Sequence, residues 1–267
     1  MAASTLRNYI NAIVYMVAWA HEHGVPLEVE TVFTPLRVEH YIQTGTEHLV
    51  PNSRGTRRSS LIRVGRHVTR KVAWTPPALK FPVAQLSPPY SAEEVKRYFR
   101  MAAQQGTEFC RRVATAQLCL GLGAGLRADE YLLVGSESLV LHDEVFMLDI
   151  PGARARKVPM HIRYVDPLLE IADANPNEPF MGPLTGTSPM NRLDGMLSKP
   201  HYPRVRRPTT NKLRTTWLLR MLRSRCTLSE ILYMSGLRNT KSLIELAAHV
   251  QYRDTDEWFV DVATFHD

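Results

Sequence analysis

Apolar positions recur at helical spacing from the start of the chain. Leu6, Ile10, Ile13, Val14, Val17 and Ala18 predict one face of an amphipathic helix from about Ser4 to His23, ended by Gly24 ahead of Pro26. A second helix is expected over Leu36 to His48, then a polar break over Pro51 to Gly55. A third is expected over Ser59 to Trp74, where Leu61, Ile62, Val64, Val68 and Val72 are apolar and the arginines project elsewhere. Five prolines between Thr75 and Pro89 then suppress any period, as an extended interdomain linker does.

Beyond the prolines the pattern resumes. Ser91-Ala-Glu-Glu94 is a capping box that opens a helix through about Gln104, and Phe109 to Leu120 continues at helical spacing. Ser138 to Leu141, Val145 to Ile150 and Lys157 to Ile162 read as short strands with turns at His142-Asp143 and Gly152, which predicts a three-stranded antiparallel sheet. Tyr164 to Ala174 is a short helix, and Asn175 to Pro208, rich in Pro, Gly and Ser, is expected to be a long surface loop. Thr210 to Arg225 is helical again. Thr227-Leu-Ser-Glu230 is a second capping box whose helix runs to about Met234 and breaks at Ser235-Gly236; Thr240 to Val250 follows, and Asp254 to Phe265 carries Trp258, Phe259, Val262 and Phe265 on one face. The expected fold is therefore mainly α with a small antiparallel β-sheet, in the α+β class. It divides into a helical unit over 1–75, a linker over 76–89 and a larger unit over 90–267, with the composition shift near residue 85.

Charge sharpens this outline. The chain of 267 residues holds 33 Lys and Arg against 26 Asp and Glu, a formal net charge of +7. The excess is concentrated. Arg54, Arg57, Arg58, Arg63, Arg66, Arg70 and Lys71 form one acid-free zone, and Lys199 to Arg225 holds nine basic residues and no acid. Two such zones suggest a clamp around an anionic partner, although a solvated helix face would carry the same charges. The three cysteines, Cys110, Cys119 and Cys226, are widely spaced and lack a C-x-x-C pattern, so neither a disulfide framework nor a zinc site is expected. No metal and no cofactor is called for. With no apolar run near the length of a membrane span and no signal-like start, the expectation is a cytoplasmic protein with no membrane partner.

The chain's chemistry centres on Gln117 to Val134. An apolar helical run meets Gly121, Gly123 and Gly125, and Arg127 stands where a new helical pattern begins. Glu130, three residues on, falls on the same helical face, and Leu132 and Leu133 are expected to anchor the turn in the core. Taken alone, this is also how a buried Arg–Glu pair closing a helix turn reads.

The order of parts resembles the tyrosine recombinase (phage integrase) family: a basic helical unit, a linker, a capped helix, Gly-Leu-Arg-x-x-Glu, a small sheet, then Asn211-Lys-Leu-Arg214 opening a basic helix. The resemblance spans nearly the whole chain. It implies an N-terminal core-binding (SAM-like) domain and an integrase-like catalytic-type domain. It also implies that Arg127 and Arg214 grip a phosphate, as two guanidinium forks can on non-bridging oxygens. The departures are specific. The family's histidine before Leu-Arg is Asn211, which carries no proton near neutral pH. The histidine or tryptophan of the Leu-Gly-His stretch is Leu237, and the nucleophilic tyrosine falls on Leu246, which has no oxygen to attack phosphorus. The family's catalytic lysine corresponds to Lys157, or else Arg154 or Arg156 takes that place, and arginine is too basic to serve as a general acid.

The resemblance, taken with these departures, implies a nucleoid-associated protein that keeps the phosphate grip without the nucleophile and binds double-stranded DNA as a regulator or recombination accessory factor, without cutting it. Arg54, Arg57, Arg58, Arg63, Arg66, Arg70, Lys71, Arg154, Arg156, Arg206, Arg207 and Lys212 are the candidate DNA contacts. Arg127, Arg214, Asn211 and Lys157 are the vestigial phosphate site. The alternative is an active recombinase attacking through Tyr252, six residues after Leu246, with Tyr233 packing in the core instead. A third reading keeps the basic surfaces but gives them RNA or an acidic protein. Family members exchange a C-terminal helix between protomers, so Asp254 to Phe265 is expected either to make a homo-oligomer in that way or to dock on its own core.

Overall fold

The computed structural model describes residues 3–74, 86–183, 189–224 and 226–250. It divides into two compact units, Met1–Gln85 and Leu86–Asp267, each with its own apolar core. Most of the Pro-rich stretch, Tyr252 and the Asp254 to Phe265 segment lie outside the described residues.

In the first unit α1 (Ala3–Glu22), α2 (Val29–Val32), α3 (Pro35–Thr44) and α4 (Pro51–Val68) enclose a core of Ala12, Met16, Trp19, Ala20, Val38, Tyr41, Ile42 and Leu61. The polar break expected at Pro51 to Gly55 is instead the first turn of α4. Pro51 sits at the helix start, where its missing N–H costs nothing, and Gly55 is carried inside the helix. The buried stripe of α1 also differs from the expected one. Met16 and Trp19 face the core with the small Ala12 and Ala20 beside them, whereas Leu6, Ile10, Val14 and Ala18 are exposed. A nearly continuous apolar helix gives several candidate faces, and the partners α3 and α4 select the one combining bulk with small residues for close approach.

The second unit is built around α6 (Glu108–Gly123), buried along almost its whole length from Arg112 onward. Against it lie α5 (Ala92–Ala103), α7 (Asp166–Ala174), α8 (Pro189–Leu197) and α9 (Thr210–Leu222), with α10 (Leu228–Ser235) and α11 (Lys241–Ala247) packed on α9. Both capping boxes are formed: Ser91 with Glu94, and Thr227 with Glu230. The sheet has order β1-β2-β3, with β1 (Leu139–His142), β2 (Val145–Ile150) and β3 (Arg156–Pro159) antiparallel, and Leu139 opposite Leu148 and Ile150 opposite Arg156. Asp143 and Gly152 take positive φ at the two turns.

The stretch from Asn175 to Pro208 is less loop-like than its composition. It contains α8, and its beginning is fastened by the buried Arg112. That guanidinium donates to Asn175 Oδ1 at 2.5 Å, Glu178 Oε2 at 2.7 Å, and the carbonyls of Pro179 and Phe180 at 2.6 and 3.1 Å. Among the described residues no helix is long and apolar enough to cross a membrane, and no His, Cys, Asp or Glu cluster is arranged to hold a metal ion.

Candidate functional site

The glycines of the opening motif bring α6 and α9 together. A Cβ added at Gly121 would stand 2.5 Å from the Tyr131 hydroxyl and 2.7 Å from Leu213 Cβ, so only hydrogen there lets the two helices meet. Gly121 and Gly123 lie inside α6, and the chain leaves the helix through Gly125 at φ +60°, directly against the Trp217 ring. Trp217 Nε1 donates to the Gly123 carbonyl at 3.1 Å. The residues after Gly125 do not restart a helix. Two successive turns, Glu130 N–H to Arg127 C=O at 2.9 Å and Leu133 N–H to Glu130 C=O at 3.0 Å, carry the motif. Leu132 anchors them in the core, while Leu133 is exposed.

This non-helical path decides the ion pairing. Arg127 and Glu130 do not pair through their side chains; Glu130 Oε2 accepts the backbone N–H of Arg127 at 2.8 Å. The partner of Glu130 is Arg156, at the start of β3, with Nη1 to Oε1 at 2.6 Å and Nη2 to Oε2 at 3.0 Å, both side chains buried. Arg156 Nε donates in turn to the Met234 carbonyl at 2.7 Å, tying the hairpin to the end of α10. Arg127 instead turns to Asp129, with Nε and Nη2 each 2.9 Å from one carboxylate oxygen. That pair is open to solvent, the side chains retaining 29% and 59% of their exposure.

Arg214, one turn into α9, reaches the same place. It donates through Nη1 to the Gly125 carbonyl and through Nη2 to the Ser235 carbonyl at 2.5 Å, bridging the glycine turn to the end of α10. Burial, then the neighbouring Arg156 and Arg127, push its pKa down to about 10, with Glu130 opposing them, so it remains a cation at neutral pH. Arg154 donates to the Gly236 carbonyl at 2.9 Å; burial and the charges of Arg127 and Arg238 hold it below the ordinary arginine value. Arg127, Arg154, Arg156, Arg214 and Arg238 thus form one electropositive cluster around Glu130 and Asp129. Carbonyl partners fix the guanidinium groups of Arg154, Arg156 and Arg214, and the Asp129 carboxylate holds that of Arg127, before any ligand arrives. Asp129 and Arg238 were not singled out from sequence. The Arg-x-Asp spacing was the available signal for Asp129.

Other candidates fall elsewhere. Lys157 alternates with Arg156 along β3, so it lies on the other face of the hairpin, exposed and 3.7 Å from Asp149. Asn211 is exposed in the first turn of α9. Leu237 is half-buried just after the left-handed Gly236, and Leu246 is buried in α11. Tyr233, expected in the core, is 59% exposed on α10, because Ile231 and Met234 take the inward positions.

The basic zones also divide. Arg63, Arg66, Arg70, Lys71, Arg206 and Arg207 are exposed. Arg58 is not a surface contact: it is buried and donates to Glu39 Oε1 at 2.6 Å, an ion pair inside the first unit. Arg156 is likewise internal. Arg54 donates to the Ile42 carbonyl at 2.8 Å, and Arg57 to the Tyr41 hydroxyl at 3.1 Å while covering the Tyr15 ring, so both are half-buried supports of α4. Lys212 is 3.4 Å from Glu94 Oε1 and stands over the Tyr90 ring.

No protein-family model matches the chain, and no curated protein is similar to it. Several solved structures are similar in fold. The XerH site-specific recombinase bound to palindromic difH substrate, a post-cleavage complex, is 12% identical with a TM-score of 0.62, over 97% of this chain and 79% of that one. A lambda integrase dimer bound to a COC′ core site is 15% identical with a TM-score of 0.60, over 96% and 75%. The Tn1549 transposon integrase in complex with circular intermediate DNA is 14% identical with a TM-score of 0.56, over 86% and 84%. The likeness is one of fold: the mainly helical α+β architecture expected from sequence is that of these recombinases and integrases.

Proposed function

We propose, taking the shared recombinase and integrase fold as premise, that the chain binds duplex DNA through its arginine cluster and does not cut it. The observation that carries this reading is the pairing of a prepared cation cluster with a buried leucine, Leu246, at the position where the resemblance puts the nucleophile. Arg127 and Arg214 contact a backbone phosphate, and Arg154 stands beside them. The exposed Arg63, Arg66, Arg70, Lys71, Arg206 and Arg207 supply further backbone contacts, which fix register without reading sequence. Asn211 can donate a hydrogen bond at the start of α9, and Lys157 lies too far round the hairpin to share the same phosphate. The protein acts on this reading as a regulator or recombination accessory factor, and the C-terminal segment around Trp258 and Phe259 joins protomers.

The test incubates the full chain with nicked duplex and compares native with denaturing gels. A retarded native complex without a denaturing adduct is expected. A denaturing adduct lost in Tyr252→Phe would establish strand transfer through the displaced tyrosine. Tyr233→Phe tests the exposed residue of α10 in the same assay. Absence of any native complex with DNA, in the presence of a complex with duplex RNA, would replace the reading with the RNA one. Self-association is checked by sedimentation of a Trp258→Ala, Phe259→Ala variant, which is expected to be folded but monomeric.

A further inference from the structure

A second concentration of positive charge lies in the C-terminal unit, apart from the arginine cluster. Residues of α5, the short turn Ile162–Tyr164 and the later part of α9 enclose a cleft of about 230 Å³ lined by Tyr90, Lys96, Arg163, Tyr164, Arg220 and Arg223, among others. Four of these lining residues are cations and none is an acid. Arg220 and Arg223 follow Arg214 by six and nine residues on one helix, so at about 1.5 Å per residue they stand roughly 9 and 13 Å further along its axis. The cleft is therefore separate from the site already described.

Its donors are incompletely used. Tyr164 is almost wholly buried, and its hydroxyl accepts from Arg220 Nη2 at 2.9 Å; no acceptor for its own proton is found among the described residues. The Arg163 guanidinium lies 6.0 Å from the Tyr164 ring centre and donates no hydrogen bond among them. Arg220 is held in place by the Leu122 carbonyl at 2.9 Å, and Arg223 by the His249 carbonyl at 2.8 Å, while Lys96 is 3.0 Å from Glu93 outside the cleft. Burial, Arg220 and Arg163 together hold the neighbouring His161 below the ordinary histidine value, which keeps another positive charge from forming beside them.

We propose that this cleft binds a phosphoryl group. Cations approach from three elements, so the donors point from several directions, which suits a tetrahedral anion better than a flat carboxylate. The volume is below that of pockets for drug-sized molecules, and one or two phosphoryl groups fit it better than a whole nucleotide. The phosphoryl group comes either from a free small phosphate or from a nucleic-acid backbone.

The experiment titrates inorganic pyrophosphate into the full chain by calorimetry, with wild type, Arg163→Glu and Arg223→Ala, and measures duplex-DNA affinity for the same proteins. Arg163 is exposed and donates to no carbonyl among the described residues, so its replacement is expected to leave the fold intact, checked by circular dichroism. Saturable one-site binding that weakens about tenfold or more in Arg163→Glu, with Arg223→Ala also weakened, is expected. Unchanged DNA affinity in those variants would make the source a free phosphate, and a parallel loss of DNA affinity would make it the backbone. Pyrophosphate binding that Arg163→Glu leaves intact, or no saturable binding together with unchanged DNA affinity, would overturn the proposal. The pyrophosphate arm is read whether or not the chain binds DNA.

Discussion

At the residue scale the sharpest question is what Asp129 does. Its carboxylate holds Nε and Nη2 of Arg127, one of the two edges by which a guanidinium could take the proposed phosphate, and the pair is open to solvent. An exposed pair of this kind is worth at most about 1 kcal/mol, so removing the competing carboxylate is expected to raise DNA affinity by up to about fivefold. Asp129→Asn keeps the shape and removes the charge; a gel-shift titration showing weaker or unchanged binding would disprove the competition. Arg156 is the opposite case. It shares a buried pair with Glu130, and Arg156→Ala strands that carboxylate without its partner, with an expected loss of about 3–5 kcal/mol in urea unfolding. If the pair is the cause, Glu130→Ala and the double variant show strong non-additivity. Neither role was legible from sequence. Arg127 and Glu130 were placed on one helical face because the apolar spacing suggested a helix, and the true partner of Glu130 lies across a hairpin, 26 residues away.

Elements carried more of their own signal. The capping boxes at Ser91 and Thr227 are local hydrogen-bond devices, so residue type and spacing sufficed to find them. The strands were legible for a similar reason, through alternation and turn residues. Helix α8 was not, because its Pro- and Gly-rich surroundings read as loop and its place is set by packing on α6. The stripe of α1 was misjudged because burial was settled by helices distant in sequence. Gly121 and Gly125 were visible as a motif but their reason was not: contact with Leu213 and Trp217, each ninety-two residues on. Gly121→Ala is expected to cost about 1–3 kcal/mol by overpacking and, by spreading α6 from α9, to weaken DNA binding beyond what the stability loss explains. Unaltered thermal stability in that variant would refute the close-approach argument. The cap of α5 gives a pH test. The backbone N–H of Ser91, then Lys212, hold the Glu94 carboxyl below its ordinary value against a desolvation effect that raises it. A depressed carboxyl stabilises the fold above its unfolded pKa, and that contribution is lost as pH falls through the folded value. The stability gap between wild type and Glu94→Gln is therefore expected to be full near neutrality and to shrink below about pH 4, in the ordinary glutamate range and beneath it. A gap that stays constant across that range would exclude the linkage.

For the molecule as a whole, on the proposed DNA-binding reading, net charge is a poor count of what a phosphate backbone would meet. Of the first unit's basic zone, the buried Arg58 is consumed in a pair with the half-buried Glu39, and Arg54 and Arg57 support α4 against α3 and α1, which leaves Arg63, Arg66, Arg70 and Lys71 facing solvent. The sequence showed the charge but not this division, because an arginine's partner is chosen by tertiary packing and its own codon carries no mark of it. The division predicts how affinity depends on salt. Each phosphate neutralised contributes about 0.9 to the slope of log affinity against log salt, so Arg63→Ala with Arg66→Ala should flatten the slope by about two if both contact the backbone. Arg58→Ala should act differently: it breaks a half-buried pair with Glu39, lowering the unfolding midpoint, and leaves the slope of the remaining folded protein unchanged. If instead Arg58→Ala flattens the slope and the exposed pair does not, the basic zone reaches DNA through a rearranged α4, and the first unit must open its core contacts when it binds.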